Sequence, residues 1–152
     1  MLIEYSRTRN NVIPPTRANP SDAGLDVYFN PGHTGSISLN PGESKRLQTG
    51  LRFGIPHGFM LQVMNRSSVA SKCNLIVGAQ VVDSGFNGEV FVDMHNIGDT
   101  LQVIESGAKI AQVVMIPVVP FRAIERPDNN LYDWHPITIS NRDIDALGST
   151  GR

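Results

Sequence analysis

The shortness of its apolar runs is the feature that most constrains the fold of this chain. Glycine and proline, 14 and 10 of the 152 residues, separate these runs at close intervals. No segment keeps a helical period of 3.6 over a useful length, whereas several runs alternate between apolar and polar residues. Strand-like runs that recur about every 8–12 residues predict an all-β sandwich or barrel.

Four runs read as strands. In residues 45–55 the apolar side chains fall on odd positions, which predicts one half-buried strand that ends at Pro56. The other predicted strands are residues 59–64, 89–95 and 110–116. In the run 89–95, the apolar residues Val90, Val92 and Met94 share one face.

Two short signals predict local structure between the strands. Asn87-Gly88 lies between two strand-like runs and predicts a tight hairpin turn. Residues 67–72 predict a short helix, which the hydroxyls of Ser67 and Ser68 would cap.

Charge and cysteine content exclude several classes of function. The formal net charge is −1 with no basic run, which argues against nucleic acid or an anionic membrane as a partner. The single cysteine, Cys73, allows no disulfide framework and no cysteine-based metal site, and we predict that it is a buried small hydrophobe. The first residues do not resemble a signal peptide, and no apolar run reaches the length of a membrane span. These observations predict a protein of the reducing cytoplasm.

The C-terminal sequence Gly148-Ser149-Thr150-Gly151-Arg152 suggests binding of an anion. Its glycines let successive N–H groups point at one ligand, and the hydroxyls add donors. Taken alone, such a tail is more often a frayed terminus. However, the chain also carries phosphate-binding residue types at Arg66, Ser67, Ser68 and Gln112, and Asp83 ends an apolar run. Together these residues predict a site for a nucleotide polyphosphate, built from scattered segments and closed by the C-terminus.

Five segments, in order, resemble the five motifs of the homotrimeric dUTP diphosphatases, or dUTPases. They are residues 18–27, 66–72, 81–89 and 107–113, and Arg142 with residues 148–151. Each segment alone is a weak signal, but their order and spacing span almost the whole chain. The resemblance implies a jelly-roll-like β-barrel over residues 1–124, followed by an arm and phosphate-binding tail over residues 125–152.

The resemblance also implies an activity and an assembly. The expected reaction is hydrolysis of dUTP to dUMP and pyrophosphate with Mg²⁺ as cofactor. The expected assembly is a homotrimer with three shared sites. In such a site the third motif comes from one subunit, the first, second and fourth from a neighbour, and the tail from the remaining subunit.

Carried over residue by residue, the resemblance assigns roles to both halves of the substrate. Asp83 is the expected base that activates water for attack on the α-phosphorus. Asp26 is expected near the magnesium as an outer-shell partner through water. The expected phosphate-binding residues are Arg66, Ser67, Ser68, Gln112, Arg142, Gly148, Ser149 and Thr150. The expected base- and sugar-binding residues are Gln80, Val81, Val82, Phe86, Phe91 and Leu147.

The chain departs from the family pattern at several of these positions. The tail lacks three of the usual glycines, and Leu147 replaces the phenylalanine that stacks on uracil. Gln80 replaces a glycine, and a side chain there is expected either to crowd the base pocket or to reach the edge of the base. Lys109 replaces an arginine and keeps its charge. Phe86 replaces a tyrosine, but its ring alone is expected to exclude a 2′-hydroxyl.

Two alternatives remain open on the sequence. A dCTP deaminase shares the fold, but that enzyme needs a glutamate where Asp93 stands and an arginine near Ser71. A non-catalytic nucleotide-binding regulator is the other alternative, which the altered tail suggests. Binding alone needs no base, so the carboxylate of Asp83 argues for the enzyme.

Overall fold

The structure, a computed structural model, describes residues 2–128 and residue 131. The predicted roles of Arg142, Leu147, Gly148, Ser149 and Thr150 therefore lie outside the described residues. Within the described part, no helix is long and apolar enough to cross a membrane.

The described residues form eleven β-strands and a single α-helix, which confirms the predicted all-β class. In chain order the elements are β1 (Glu4–Arg7), β2 (Leu25–Tyr28), β3 (Ser36–Leu39), β4 (Ser44–Gln48), β5 (Leu51–Gly54), β6 (Phe59–Met64), α1 (Ser67–Cys73), β7 (Leu75–Val77), β8 (Val81–Val82), β9 (Phe91–Asn96), β10 (Gln102–Glu105) and β11 (Lys109–Pro117).

Antiparallel pairing joins these strands into four small sheets. A four-stranded sheet has the order β2-β11-β6-β8, and a three-stranded sheet has the order β4-β9-β7. Two further pairs, β1 with β5 and β3 with β10, complete the arrangement. Such pairing of strands far apart in sequence is expected of a jelly-roll-like fold, and it brings distant segments to the edges of the sheets.

The chain divides into two compact units, Met1–Pro120 and Phe121–Arg152. The first unit holds all of the strands and the helix given above. In the second unit, residues 121–128 and 131 belong to neither a helix nor a strand. The boundary predicted after residue 124 stays a prediction.

Alternation along the strands builds an aliphatic core. Val90, Val92 and Met94 are all buried, as their shared face predicts. The same holds for the odd positions of residues 45–55, where Leu47 and Leu51 are fully buried. The free Cys73 packs against this core as a small hydrophobe, but it is only partly buried, not buried as predicted.

The prediction of one continuous strand over residues 45–55 was also wrong. The segment forms two strands, of which β4 pairs with β9 and β5 pairs with β1. The break falls at Gly50, whose φ of +70° suits glycine, and a Cβ there would lie 2.5 Å from Cγ2 of Val12. The inward alternation therefore survives a change of sheet, which local sequence periodicity cannot reveal.

The hairpin predicted at Asn87-Gly88 does not form. β8 pairs with β6, whereas β9 pairs with β4 and β7, so the two flanking strands belong to different sheets. The tight turn lies earlier, where the N–H of Phe86 donates to the carbonyl of Asp83 at 3.2 Å and Gly85 has a φ of +86°. Residues 83–90 thus form a connection between two sheets, which we call the β8–β9 connection.

The predicted helix is present, but serines do not cap it. Arg66 occupies the N-cap position and makes no side-chain cap hydrogen bond, so Ser67 is already the first helical residue. The Ser71 hydroxyl instead donates to the carbonyl of Ser67 at 2.7 Å, a bond back along the helix. The helix ends at Cys73, and its C-cap Asn74 has a left-handed backbone conformation.

Candidate active site

A cavity of about 200 Å³ lies between β8 and the beginning of β9. It brings together five of the residues predicted to contact the base, the sugar or the attacking water. Its lining consists of Val63, Ala79, Val81, Val82, Asp83, Phe86, Glu89, Val90 and Phe91. The walls are therefore largely apolar, with carboxylates at Asp83 and Glu89.

Free strand edges supply polar groups to this cavity. β8 is the last strand of its sheet, so backbone groups on the side of Val81 and Val82 away from β6 have no strand partner in the described part. Phe91 pairs with Gln48 of β4, but β7 ends opposite Met94 and does not extend along its other side. Apolar walls beside such an edge suit a planar heterocycle whose rim carries donors and acceptors.

Phe86 forms a flat wall of this cavity. Its ring lies against the backbone of Gly88, since a Cβ on that glycine would lie 2.6 Å from Cζ of Phe86. No larger residue fits at Gly88 without moving the ring. About half of the Phe86 surface, 48%, is exposed, which leaves a face of the ring for a ligand.

Asp83 lies at the start of the turn that carries Phe86. Its carboxylate makes no hydrogen bond or ion pair with any of residues 2–128 or 131 and is exposed to solvent. The turn itself is held, because the Ser84 hydroxyl donates to the carbonyl of Ile55 at 3.1 Å. An unpaired carboxylate on a held turn beside a cavity is able to accept a proton from water.

A second group of predicted residues gathers where β2, β6 and β11 meet. Asp26 accepts from Nε of Arg66 at 2.9 Å and from Nζ of Lys109 at 2.7 Å. The side chain of Asp26 is only 14% exposed. One carboxylate thus holds two cations in fixed positions near the start of α1, and the three residues carry a net positive charge.

Gln112, Ser67 and Ser68 belong to the same group. Gln112 pairs with Asp26 in the sheet, and its Nε2 donates to the carbonyl of Asn65 at 2.9 Å. Ser67 and Ser68 follow Arg66 directly as the first residues of α1. These side chains and the first N–H groups of the helix are donors of the kind that bind phosphate oxygens.

The pKa values of the ion pairs follow from these contacts. Burial raises the pKa of Asp26, but the hydrogen bond from Lys109 and the charge of Arg66 outweigh it and hold this pKa below the ordinary 3.8. The hydrogen bond to Asp26 raises the pKa of Lys109 above its ordinary 10.5. Both side chains are therefore charged across the neutral range.

We expect Asp26→Asn to lower the free energy of unfolding by about 2 kcal/mol at pH 7, because Arg66 and Lys109 would lose their shared acceptor. A lowered folded-state pKa stabilises the fold above the unfolded value, and this contribution disappears as the pH falls through the folded value. Urea titrations of the wild type and of Asp26→Asn should show a difference in the free energy of unfolding that is constant from pH 5 to 8 and shrinks below about pH 4. A difference that grew on acidification would contradict the pairing.

A magnesium ion would fit this group only as an outer-shell ligand of the protein. Among the described residues, no group of three or more His, Cys, Asp or Glu side chains is placed to hold a metal. Each carboxylate oxygen of Asp26 already accepts from one cation, but each retains a lone pair for a hydrogen bond from metal-bound water. The donor set therefore fits a magnesium ion held through its own waters, and the water-mediated role of Asp26 stays a prediction.

The side chain of Gln80 does not line the cavity. Its Oε1 accepts from Nε2 of Gln62 at 3.2 Å, and its own Nε2 donates to the carbonyl of Val77 at 3.4 Å. The backbone carbonyl of Gln80 accepts from the N–H of Val63 at 2.7 Å. Its predicted contact with the base stays a prediction.

The cavity and the cationic group lie far apart within one chain. Val82 pairs with Leu61, whereas Asp26 pairs with Gln112, which pairs with Met64. Three strand spacings across the sheet and three residues along it separate Val82 from Asp26 by about 17 Å. At about this separation, we do not expect one phosphoryl group to contact both Asp83 and Arg66 of the same chain.

Comparisons with known proteins show the family of this chain. A family model described as dUTPase matches residues 10–132. The deoxyuridine 5′-triphosphate nucleotidohydrolase of Gloeobacter violaceus is 33% identical over 139 residues, which cover 90% of this chain and 88% of that protein. The enzyme of the same name from Solibacter usitatus is 33% identical over 156 residues, which cover 100% and 97%.

Solved structures share the fold at lower identity. A mutant dUTPase of Staphylococcus bacteriophage 80alpha, solved with dUpNHpp, has a TM-score of 0.83 at 21% identity and covers 99% of both chains. A mutant dUTPase of phage phi11 of S. aureus has a TM-score of 0.75 at 20% identity, covering 84% of this chain and 97% of that one. The description of that second structure names a coordinated structural Mg(II) ion.

Proposed function

Because this chain belongs to the dUTPase family, we propose that it is a dUTP diphosphatase that hydrolyses dUTP to dUMP and pyrophosphate. The observation that carries the proposal is the cavity at β8, where an unpaired carboxylate stands beside apolar walls and two free strand edges. Uracil is a planar ring with donors and acceptors along one edge, so backbone groups of Val81, Val82 and Phe91 suit it.

In the proposed reaction, Asp83 accepts a proton from a water molecule that attacks the α-phosphorus. A new P–O bond forms to this water, and the bond from the α-phosphorus to the bridging oxygen of the β-phosphate breaks. Pyrophosphate leaves with the bridging oxygen, and the proton held by Asp83 returns to solvent. A positioned base of this kind contributes about 10²–10⁴-fold to the rate.

The cationic group is proposed to bind the phosphates. Arg66 donates a charge-assisted fork, Ser67 and Ser68 add hydroxyl or N–H donors, and Gln112 adds an amide. Charge that develops on the leaving pyrophosphate is thereby neutralised. Magnesium, when bound, would neutralise triphosphate charge and polarise the α-phosphoryl group, with Asp26 holding its waters.

The tail and the sugar pocket complete the proposal. Arg142, Gly148, Ser149 and Thr150 are proposed to close over the triphosphate, with Leu147 near the base. Phe86 is proposed to pack against deoxyribose and to exclude a 2′-hydroxyl, and the close approach of its ring to the backbone of Gly88 supports this proposal.

The separation of the two groups supports a site shared between chains. Since about 17 Å separates the cavity from the cationic group within one chain, we propose that a second copy supplies the missing group. A cyclic trimer places the same two surfaces together three times.

A panel of nucleotides tests the reaction directly. We expect pyrophosphate release from dUTP that exceeds release from dCTP, dTTP and UTP by at least about 100-fold in kcat/KM, and chelation of Mg²⁺ should suppress it. Ammonia release from dCTP is not expected, because Asp93 pairs with His95 at 3.2 Å and does not line the cavity. Absence of pyrophosphate release from every deoxynucleotide would leave the regulatory alternative.

A further inference from the structure

Glu89 lines the proposed base and sugar pocket, but its carboxylate is engaged elsewhere. Oε1 accepts from the N–H of Gly50 at 2.8 Å, and Oε2 accepts from Nη1 of Arg9 at 3.2 Å and from the hydroxyl of Thr8 at 3.4 Å. These donors come from the loop that follows β1 and from the break between β4 and β5. Glu89 therefore ties the β8–β9 connection to a separate part of the fold.

Arg9 is itself held in place from the other side. Its Nη2 donates to the carbonyl of Asn30, and a Cβ on Gly32 would lie 3.1 Å from its Cδ and Nε. The side chains of Arg9 and Glu89 are only 26% and 15% exposed. An ion pair with both partners fixed and little solvent around it constrains geometry more than an exposed pair does.

Because Glu89 lies in the β8–β9 connection, its contacts with Gly50, Arg9 and Thr8 also affect the pocket. Gly88 precedes it, and the ring of Phe86 lies against Gly88. A displacement of Glu89 therefore moves the surface that supports the Phe86 ring. The other ties of the connection are the Ser84 bond to Ile55, the bond between Arg52 and the Asn87 amide, and the Val90 N–H donating to Leu51.

We infer that Glu89 is a positioning residue whose ion pair with Arg9 sets the place of the Phe86 ring and thereby the selectivity against ribonucleotides. This inference rests on the proposed function of the pocket. The role does not require contact between Glu89 and the substrate, because its carboxylate accepts from Gly50, Arg9 and Thr8. Glu89 acts on the supporting wall.

The variant Glu89→Gln tests the inference, because an amide still accepts from Gly50 but loses the charge that pairs with Arg9. We expect kcat/KM for dUTP to fall about tenfold, while the ratio of kcat/KM for dUTP over UTP falls about tenfold as well. The matched control is Glu43→Gln, which removes the same charge from a pair with Lys45 at 3.0 Å, away from the cavity. The control should keep the wild-type ratio.

A second variant separates positioning from general destabilisation. Arg9→Lys keeps the positive charge but loses the forked guanidinium. At equal fractions of folded protein, its ratio of kcat/KM for dUTP over UTP should therefore fall less than the same ratio in Glu89→Gln. The inference would be overturned if the ratio of kcat/KM for dUTP over UTP stayed within twofold of the wild type in both variants. It would also be overturned if kcat/KM fell equally for both nucleotides. If Glu89→Gln does not fold, the ratio in Arg9→Lys decides.

The same proteins distinguish failure of the inference from failure of the proposed function. A wild-type protein that releases no pyrophosphate from dUTP refutes the function. Calorimetric binding of dUpNHpp and of its ribonucleotide counterpart would then measure the same selectivity. A wild-type protein that is active, with an unchanged ratio in both variants, refutes the role of Glu89 alone.

Discussion

Replacing Asp83 by Asn is expected to reduce kcat for pyrophosphate release from dUTP by about a thousandfold, because an amide cannot accept the proton of the attacking water. The substitution keeps shape and size, and the Asp83 carboxylate supports no other contact among the described residues. Binding of the non-hydrolysable dUpNHpp should therefore stay within about threefold of the wild type, and the free energy of unfolding should change by less than about 0.5 kcal/mol. Steady-state kinetics, calorimetry and urea titration measure the three quantities.

Asp99→Asn is the matched control for this substitution. Asp99 is an exposed aspartate in the turn after β9, and it does not line the cavity. The same chemical change there should leave kcat within twofold of the wild type. Retention of more than a tenth of wild-type kcat in Asp83→Asn would remove Asp83 from the proposed role of base. A loss of dUpNHpp binding equal to the loss of kcat would assign it to binding instead.

Strands could be predicted from the sequence where one run of alternating apolar and polar residues forms one strand in one sheet. Val92 and Met94 face the core because each second residue of β9 points inward, and Val90, directly before the strand, continues the same alternation, which the sequence alone displays. The break at Gly50 was not predictable, because Leu47 and Leu51 keep the inward alternation while β4 and β5 pair with different partners. The prediction of a hairpin at Asn87-Gly88 was wrong for the same reason, since β8 pairs with β6 rather than with β9.

The components of the site were predictable in kind but not in arrangement. Family resemblance pointed to Asp26, Arg66 and Gln112, but only the pairing of β2, β11 and β6 brings them to one place. Their distance from Asp83 is likewise a property of strand register. The sequence analysis did not predict a role for Glu89 in the site. The signal for it was a charged residue directly before a run with buried side chains. Its partner Arg9 lies 80 residues away in sequence, which no local pattern connects.

Mixing two inactive variants is expected to restore activity, and this is the strongest test of a site shared between chains. Arg66→Ala should lower kcat/KM by about 10²–10³-fold through loss of a phosphate contact, while Asp83→Asn lacks the base. In a trimer reassembled from equal amounts of both, each site would take residue 83 from one chain and residue 66 from another. About a quarter of such sites would carry both residues intact, so activity should return to about a quarter of the wild-type value.

Reassembly of Asp83→Asn with Asp83→Ala is the matched control, because every site then lacks the base and activity should stay at the level of the single variants. If mixtures of Arg66→Ala and Asp83→Asn also stayed inactive after verified exchange of subunits, both residues would have to act from one chain. The register of β8, β6, β11 and β2 argues against this, since ordinary strand spacings put Val82 and Asp26 about 17 Å apart across that sheet. An inactive mixture would therefore exclude Arg66 from the phosphates that Asp83 attacks, whereas recovered activity requires that one chain complete the site of another.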